Sequence, residues 1–509
     1  QTHSLLERPD MFRKAFRASD FAAAIAVALL VISSVAKADA TDDDESWQVI
    51  HLAGQRIGYG RVVMRKVERG RDTVYTTDAE EHISIRRFGQ QLKIQSKTHT
   101  EETADGQLLS YSFEMKNPPA QTTKSSGRVE GQNLIIESTV GGRVQTKKLA
   151  WDETVKSPAW QDRSLSDSPL KPGESRSFKT FMPEFSKVVN VKITADDYRT
   201  VKLHDGSEKS LLKVSVFQSI LPGIGMRVYL DEKGESLRTE ADLLGMVTYS
   251  VPREVALKEI AGEELDVATN TLIRIENPPV DLHDRKTAIY RIRTKGRNPA
   301  AFLPVGGTQA VAAMDDETAT LTVSSIRPPK NIQPSRNQQQ EYLGDTQFLQ
   351  AKDTRVQEHA RRATAGSLDP GTIAVRMEQY VYKELKKKNF STALASAAEV
   401  AKSLEGDCTE HACLLAAMLR VEKIPSRVAV GLVYAERLGA FGGHMWTEAW
   451  LDGKWVPLDA TLGKGGIGAG HIKLADSSLS DDGPAPVTSF VPLMNMLSDV
   501  TIDIVSTEK

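Results

Sequence analysis

The sequence predicts an α+β protein: a C-terminal mixed core preceded by mainly antiparallel β domains. Three observations predict it. Residues 45–255 alternate β-branched runs with glycine turn dipeptides. A second β-rich patch follows at 268–325. After about residue 345 the apolar spacing becomes helical, and strand patterns return from Arg427.

The opening stretch reads as an export signal over 1–40. Arg13, Lys14 and Arg17 precede an apolar run from Phe21 to Ala36, and the small-x-small sites Ala36-Lys37-Ala38 and Ala38-Asp39-Ala40 follow. The run is short of the ~20 residues of a spanning helix. The expectation is an exported, periplasmic or extracellular protein whose mature chain starts between Asp39 and Thr41; an uncleaved anchor is the alternative and the only membrane attachment foreseen.

Composition narrows the function. The 509 residues are 26% charged with a formal net charge of −2, which argues against a nucleic-acid binder. Two cysteines cannot build a disulfide framework, so apolar cores hold the fold.

In the accessory region 41–255, Val49-Ile50-His51-Leu52 and Lys213-Val214-Ser215-Val216-Phe217 are strand patterns. Turns at Asp105-Gly106, Glu130-Gly131, Gly141-Gly142, Asp205-Gly206 and Lys233-Gly234 suggest a meander or sandwich. The Asp105 and Lys233 turns echo each other, a hint of a duplicated unit. A smaller β segment spans 256–326, with Ala288–Ile292 and Ala319–Val323 as its strands. Arg327-Pro328-Pro329, Pro334 and Gln338-Gln339-Gln340 mark a linker over 327–344. The remaining domain, 345–509, begins with helices over Thr372–Lys388 and Thr392–Leu404.

Glu405-Gly406-Asp407-Cys408-Thr409-Glu410-His411 leads into an almost wholly apolar helix that should stop before Ile424-Pro425. Asp407 is an N-cap and Glu410 completes a capping box. Cys408 then takes the first helical position, where the positive end of the macrodipole favours a thiolate. Cys413 is five positions on, about 140° around the helix. It points away and reads as core.

Gly443-His444-Met445-Trp446-Thr447-Glu448 is a strand, Asp452-Gly453 a two-residue turn, and Lys454–Thr461 the return. If Leu451 pairs with Lys454, Trp446 faces Asp459 and His444 faces Thr461. His444 and Asp459 are then diagonal neighbours on one face, about 7–8 Å apart between strand positions. Nucleophile Cys408, base His444 and orienting acid Asp459 form a candidate triad. Trp446 would wall the site. A zinc site built on Cys408 and His411 is the rival use, but Cys413 points away and three convergent ligands are wanting.

These segments, with Lys423-Ile424-Pro425-Ser426-Arg427 and Trp455-Val456-Pro457-Leu458-Asp459-Ala460-Thr461, resemble the transglutaminase-like superfamily over roughly 345–480. The resemblance implies a papain-like core and thiol acyl transfer on amide bonds of protein or peptide substrates, with no metal or organic cofactor. It implies Cys408, His444 and Asp459 as catalytic residues. The superfamily holds cross-linking enzymes, cysteine peptidases, peptide N-glycanases and silent members. A silent envelope scaffold and a protein cross-linker are therefore the alternatives to a hydrolase, and cell-envelope components are further candidate partners. Glu422-Lys423-Ile424-Pro425 lacks the glycine common before Ile-Pro, and Ala460 stands where proline is common. Gly439, Gly442 and Gly443 suggest an open, flexible loop before His444, which favours hydrolysis over an amine-guiding channel.

Overall fold

The computed structural model describes residues 44–509, apart from 117–121, 141, 222–223, 261, 333–338, 387–394, 483–485 and 498–499. The export signal over 1–40 lies outside the described residues. The α+β expectation is corrected in its scope. Taken whole, the described chain is mostly β, and its longer helices gather between Thr354 and Val421. The excess of strand arises because hairpins of up to sixteen residues, such as Asp72–Arg87, fill the first half.

Fifteen strands between Asp44 and Ser250 form one sheet among the described residues. Two meanders run outward from the pairing of Asp44–Leu52 with Met246–Ser250, where Gln48 faces Ser250, antiparallel except where Val155–Lys156 joins Ser175–Met182 in parallel. Alternation supplies the core: Ile83 and Ile85 on one strand and Leu92 and Ile94 on its neighbour all point inward. The two echoing turns abut one short helix, Trp160–Asp167. A Cβ on Gly106 would meet the Trp160 ring at 1.8 Å, and one on Gly234 would meet the Leu165 carbonyl at 2.2 Å. Both glycines also have positive φ, so no other residue suits either place. Arg163 of that helix donates to the buried Glu102 at 2.8 Å.

The 256–326 segment shares sheets with the C-terminal region. Ile273 and Arg274 pair with Phe441 and Ala440. Thr287–Thr294 lies between Thr318–Ser324 and Val500–Glu508 in a four-stranded sheet. Tyr290 ties this sheet to the core, donating to the Ala469 carbonyl at 2.6 Å. The described part of the linker runs along the core, with Arg327 Nη1 donating to the Gly466 carbonyl at 2.8 Å.

The core sets helices against a second sheet. The helices are Thr354–Thr364, Pro370–Glu384, Ala397–Ser403 and Cys408–Val421. The second begins two residues before the expected Thr372, because Pro370 occupies the first turn behind the Asp369 cap. Cys408–Val421 is buried on every side as far as Arg420. The sheet orders Ile273–Arg274, Ala440–Leu451, Ser426–Ala435 and His471–Ser477, with Lys454–Leu458 also on Ala440–Leu451. Leu451 pairs with Lys454 and Thr447 with Leu458, the expected register. Asp452 and Gly453 both take positive φ in the turn.

Candidate active site

Cys408 opens the buried helix as its first residue, and the capping box is present. Asp407 Oδ1 accepts from Thr409 N at 3.0 Å, and Glu410 Oε2 accepts from Asp407 N at 2.9 Å. The chain enters through Gly406 at φ 146°, where a Cβ would fall 2.4 Å from the Glu410 side chain. Burial first, and the Asp407 carboxylate second, push Glu410 well above the usual carboxylate range. A neutral Glu410 can sit beside Asp407 without like-charge repulsion. His411, the zinc candidate, turns its Nδ1 to the Asp407 carbonyl. Cys413 is fully buried in the apolar core.

The strand Ala440–Leu451 is fixed to that helix by Thr447, whose hydroxyl donates to the Ala412 carbonyl at 3.0 Å. It carries His444, which donates Nε2–H to Asp459 Oδ2 at 2.9 Å. Asp459 stands just beyond the ladder, with both groups almost fully buried. His444 Nδ1 is left buried without a hydrogen-bond partner. The same Oδ2 accepts from His471 Nε2 at 2.9 Å, and the other oxygen accepts from Thr461 N at 2.8 Å and from the Thr461 hydroxyl. Burial alone would raise Asp459, yet His444 and His471 together hold it well below the usual range. Burial also lowers His471 against the pull of Asp459, keeping that ring neutral. Trp446 walls the cluster, its ring 5.2 Å from His471 and 6.2 Å from His444 between centroids.

His444, Asp459 and His471 bring ligand atoms within 4.8 Å of one another, so by composition they could hold a metal. The 2.9 Å separations are hydrogen-bond lengths, however, and each ring aims its Nε2–H at Oδ2. That arrangement is the one an orienting acid would need, and it leaves the lone pair of His444 on Nδ1.

A fourth acid lies beneath. Glu378 is fully buried, accepts from Asp459 N at 2.8 Å and from Gly466 N at 3.1 Å, and is pushed up to about 8 by burial. The native state therefore binds a proton that the unfolded state has released, over the interval from about pH 4.5 to 8. Glu378 thus subtracts stability progressively as pH rises through that window. Glu378→Gln removes the titration. Denaturant unfolding of both proteins should show wild type losing stability relative to the variant between pH 5 and 8, by a few kcal/mol at most. The difference should level off above pH 8. A pH-independent difference would mean that Glu378 does not hold its proton.

His471, Thr461, Glu378 and Arg87, whose guanidinium donates to Asp407, are site residues that sequence reasoning missed. The one local signal was Gly470-His471-Ile472-Lys473-Leu474, a strand pattern with a histidine on it. The open loop expected before His444 is corrected. Phe441, Gly442 and Gly443 are buried members of the strand Ala440–Leu451. A Cβ on Gly443 would stand 3.1 Å from Leu493, so this glycine serves close packing rather than flexibility.

Residues 357–460 match a family model described as the transglutaminase-like superfamily. No curated protein matches the chain in sequence. Among solved structures, the chain is similar to a candidate cysteine protease from Cytophaga hutchinsonii at 15% identity. That match covers 43% of this chain and 85% of the other, with a TM-score of 0.29. A beta-barrel-like protein of a domain of unknown function from Brucella abortus is similar at 13% identity, over 43% of this chain and 96% of that one, with a TM-score of 0.30. The periplasmic domain of TgpA from Pseudomonas aeruginosa, bound to ethylmercury, is similar at 15% identity over 35% of this chain and 91% of its own, with a TM-score of 0.20.

Proposed function

We propose, from the match of residues 357–460 to the transglutaminase-like superfamily, that the chain is an exported thiol hydrolase acting on amide bonds of protein or peptide substrates. The observation that carries this reading is the His444–Asp459 hydrogen bond, which engages Nε2 and leaves a buried Nδ1 for a thiol. In this mechanism Cys408 Sγ attacks the amide carbon and its proton passes to His444 Nδ1. The backbone N–H of Cys408, at the helix start, is one donor to the developing oxyanion. His444 returns the proton to the departing amine, leaving a thioester on Cys408. Water then attacks the thioester, His444 takes its proton, and the thiolate leaves and is reprotonated as the acid departs. Asp459 stays ionised throughout and steadies the imidazolium formed in each half.

The reading of export rests on the signal pattern over 1–40. No described helix is long and apolar enough to cross a membrane. Hydrolysis is favoured over cross-linking because water needs no binding surface, whereas a lysine amine must be held close and unprotonated. A labelled primary amine offered with glutamine-containing proteins tests this. Free acid should form faster than amine is incorporated; the opposite order would make the chain a cross-linker.

A further inference from the structure

The β domain reaches into the thiol site through one side chain. Strand Asp72–Arg87 ends at Arg87, 1% exposed, and its guanidinium Nη2 donates to Asp407 Oδ2 across 320 positions of sequence. Asp407 is the cap on which the Cys408 helix starts, and it too is buried. An unpaired carboxylate there would be costly, and it would stand next to the thiol that the mechanism needs ionised.

Arg87 is not held loosely. The hairpin it enters turns through Phe88 and Gly89, at φ 50° and 78°. Both amides are gripped by Asp266, Phe88 N at 3.1 Å and Gly89 N at 2.7 Å. Arg86 N bonds the Leu265 carbonyl at 2.7 Å, and Glu264 takes the Ser84 hydroxyl at 2.6 Å. The clamping segment then caps Val267–Asn270 with the same Asp266 and runs into Ile273, which pairs with Phe441, three residues before His444. One hairpin tip is therefore tied to the nucleophile's helix by Arg87 and to the base's strand by the 264–274 segment.

We infer that Arg87 is a positioning residue of the thiol site: by neutralising Asp407 it sets the start of the helix that presents Cys408, so the β domain is part of the catalytic unit. The inference rests on the reading of Cys408 as the nucleophile. The titratable groups at this helix start are Asp407, Glu410 and His411; the elements packed on the helix bring His444 on Ala440–Leu451 and Glu378 on Pro370–Glu384, both bonded to Asp459. Elsewhere on the elements of the core, His359 bonds Tyr380 and the Ala401 carbonyl, Glu399 caps Ser396, and Arg427 pairs with Glu448 and Asp476. Removing Arg87 takes the cation from Asp407 and leaves either a charge without its counter-ion beside Cys408 or a protonated, weakened cap. Both disfavour the thiolate.

The test is the rate of Cys408 alkylation by iodoacetamide against pH, read by mass spectrometry on the folded full chain, with buried Cys413 as internal control. In Arg87→Met the midpoint should rise by about one pH unit or more, and labelling at pH 7 should slow about tenfold. Arg87→Lys, which keeps the charge, should restore most of it. A purely structural ion pair would lower the melting temperature of Arg87→Met and leave the midpoint where it was, which would overturn the inference. If Arg87→Met does not fold, Asp266→Ala loosens the hairpin tip without touching the ion pair. An upward shift supports the inference and an unmoved midpoint overturns it. The midpoint is read on the thiol without any substrate. Amide hydrolysis that survives Cys408→Ala would instead sink the thiol-hydrolase reading, and the two failures are distinct.

Discussion

Cys408→Ala is expected to lower amide hydrolysis on the order of 10⁴-fold or more, with the fold intact, and His444→Ala to do nearly the same. The two act as one unit, so the double variant should be little worse than either. The fold should survive because alanine suits the first turn of a helix and the cap on Asp407 is untouched. Cys413→Ser is the control. It places a hydroxyl in an apolar core at a cost of about 1–3 kcal/mol, yet leaves the thiol chemistry alone. Turnover measured beside thermal melts separates the cases. Equal loss of activity from Cys413→Ser and Cys408→Ala would remove Cys408 from its role.

Asp459→Asn should reduce turnover by roughly 10²–10⁴-fold without abolishing it, because the base remains while its orientation is lost. The carboxylate serves two rings at once through one oxygen. An asparagine that keeps its carbonyl oxygen between the two rings turns its NH₂ toward the Thr461 N–H and hydroxyl, donor against donor; flipped, it turns that NH₂ toward both imidazole N–H groups. His471→Phe should be milder, about tenfold, since His444 keeps its acceptor. The pH–rate profile of each variant checks this. If Asp459→Asn matched the loss in Cys408→Ala, the acid would be doing more than orienting; full activity in Asp459→Asn would exclude it from the site.

What the sequence disclosed was what short-range chemistry dictates. The Asp407 cap, the Glu410 box and the Asp452-Gly453 turn are each decided within a few residues, and the turn fixes the register that brings His444 to Asp459. His471 escaped because it reaches Asp459 from a strand paired with Ser426–Ala435, and that pairing is written in no local pattern. Arg87 escaped for the same reason at greater range: nothing in Ser84-Ile85-Arg86-Arg87 says which of two adjacent arginines turns inward, or that its partner lies 320 positions away. The glycines at 442 and 443 were misleading because glycine reads as freedom in a sequence, while in a packed sheet it marks a place where something must come close. The proportion of strand was underestimated because the turn signals mark where hairpins reverse but not how far each strand runs.

The pairing of Thr287–Thr294 with Val500–Glu508 has a bearing on when in its life the molecule becomes dangerous. A polypeptide still leaving the ribosome at about 5–20 residues per second, once past Asp459, already carries thiol, imidazole and carboxylate. The strand at 287–294, which braces the core through Tyr290 on Ala469 and Phe441, has Thr318–Ser324 beside it but still waits for its second neighbour. Closing a loop of some two hundred residues is entropically dearer than closing a ten-residue hairpin by about 2.7 kcal/mol, and such non-local contacts come late in folding. Completion of the proposed site is thus expected to come late, timed by a strand that takes no part in the proposed chemistry.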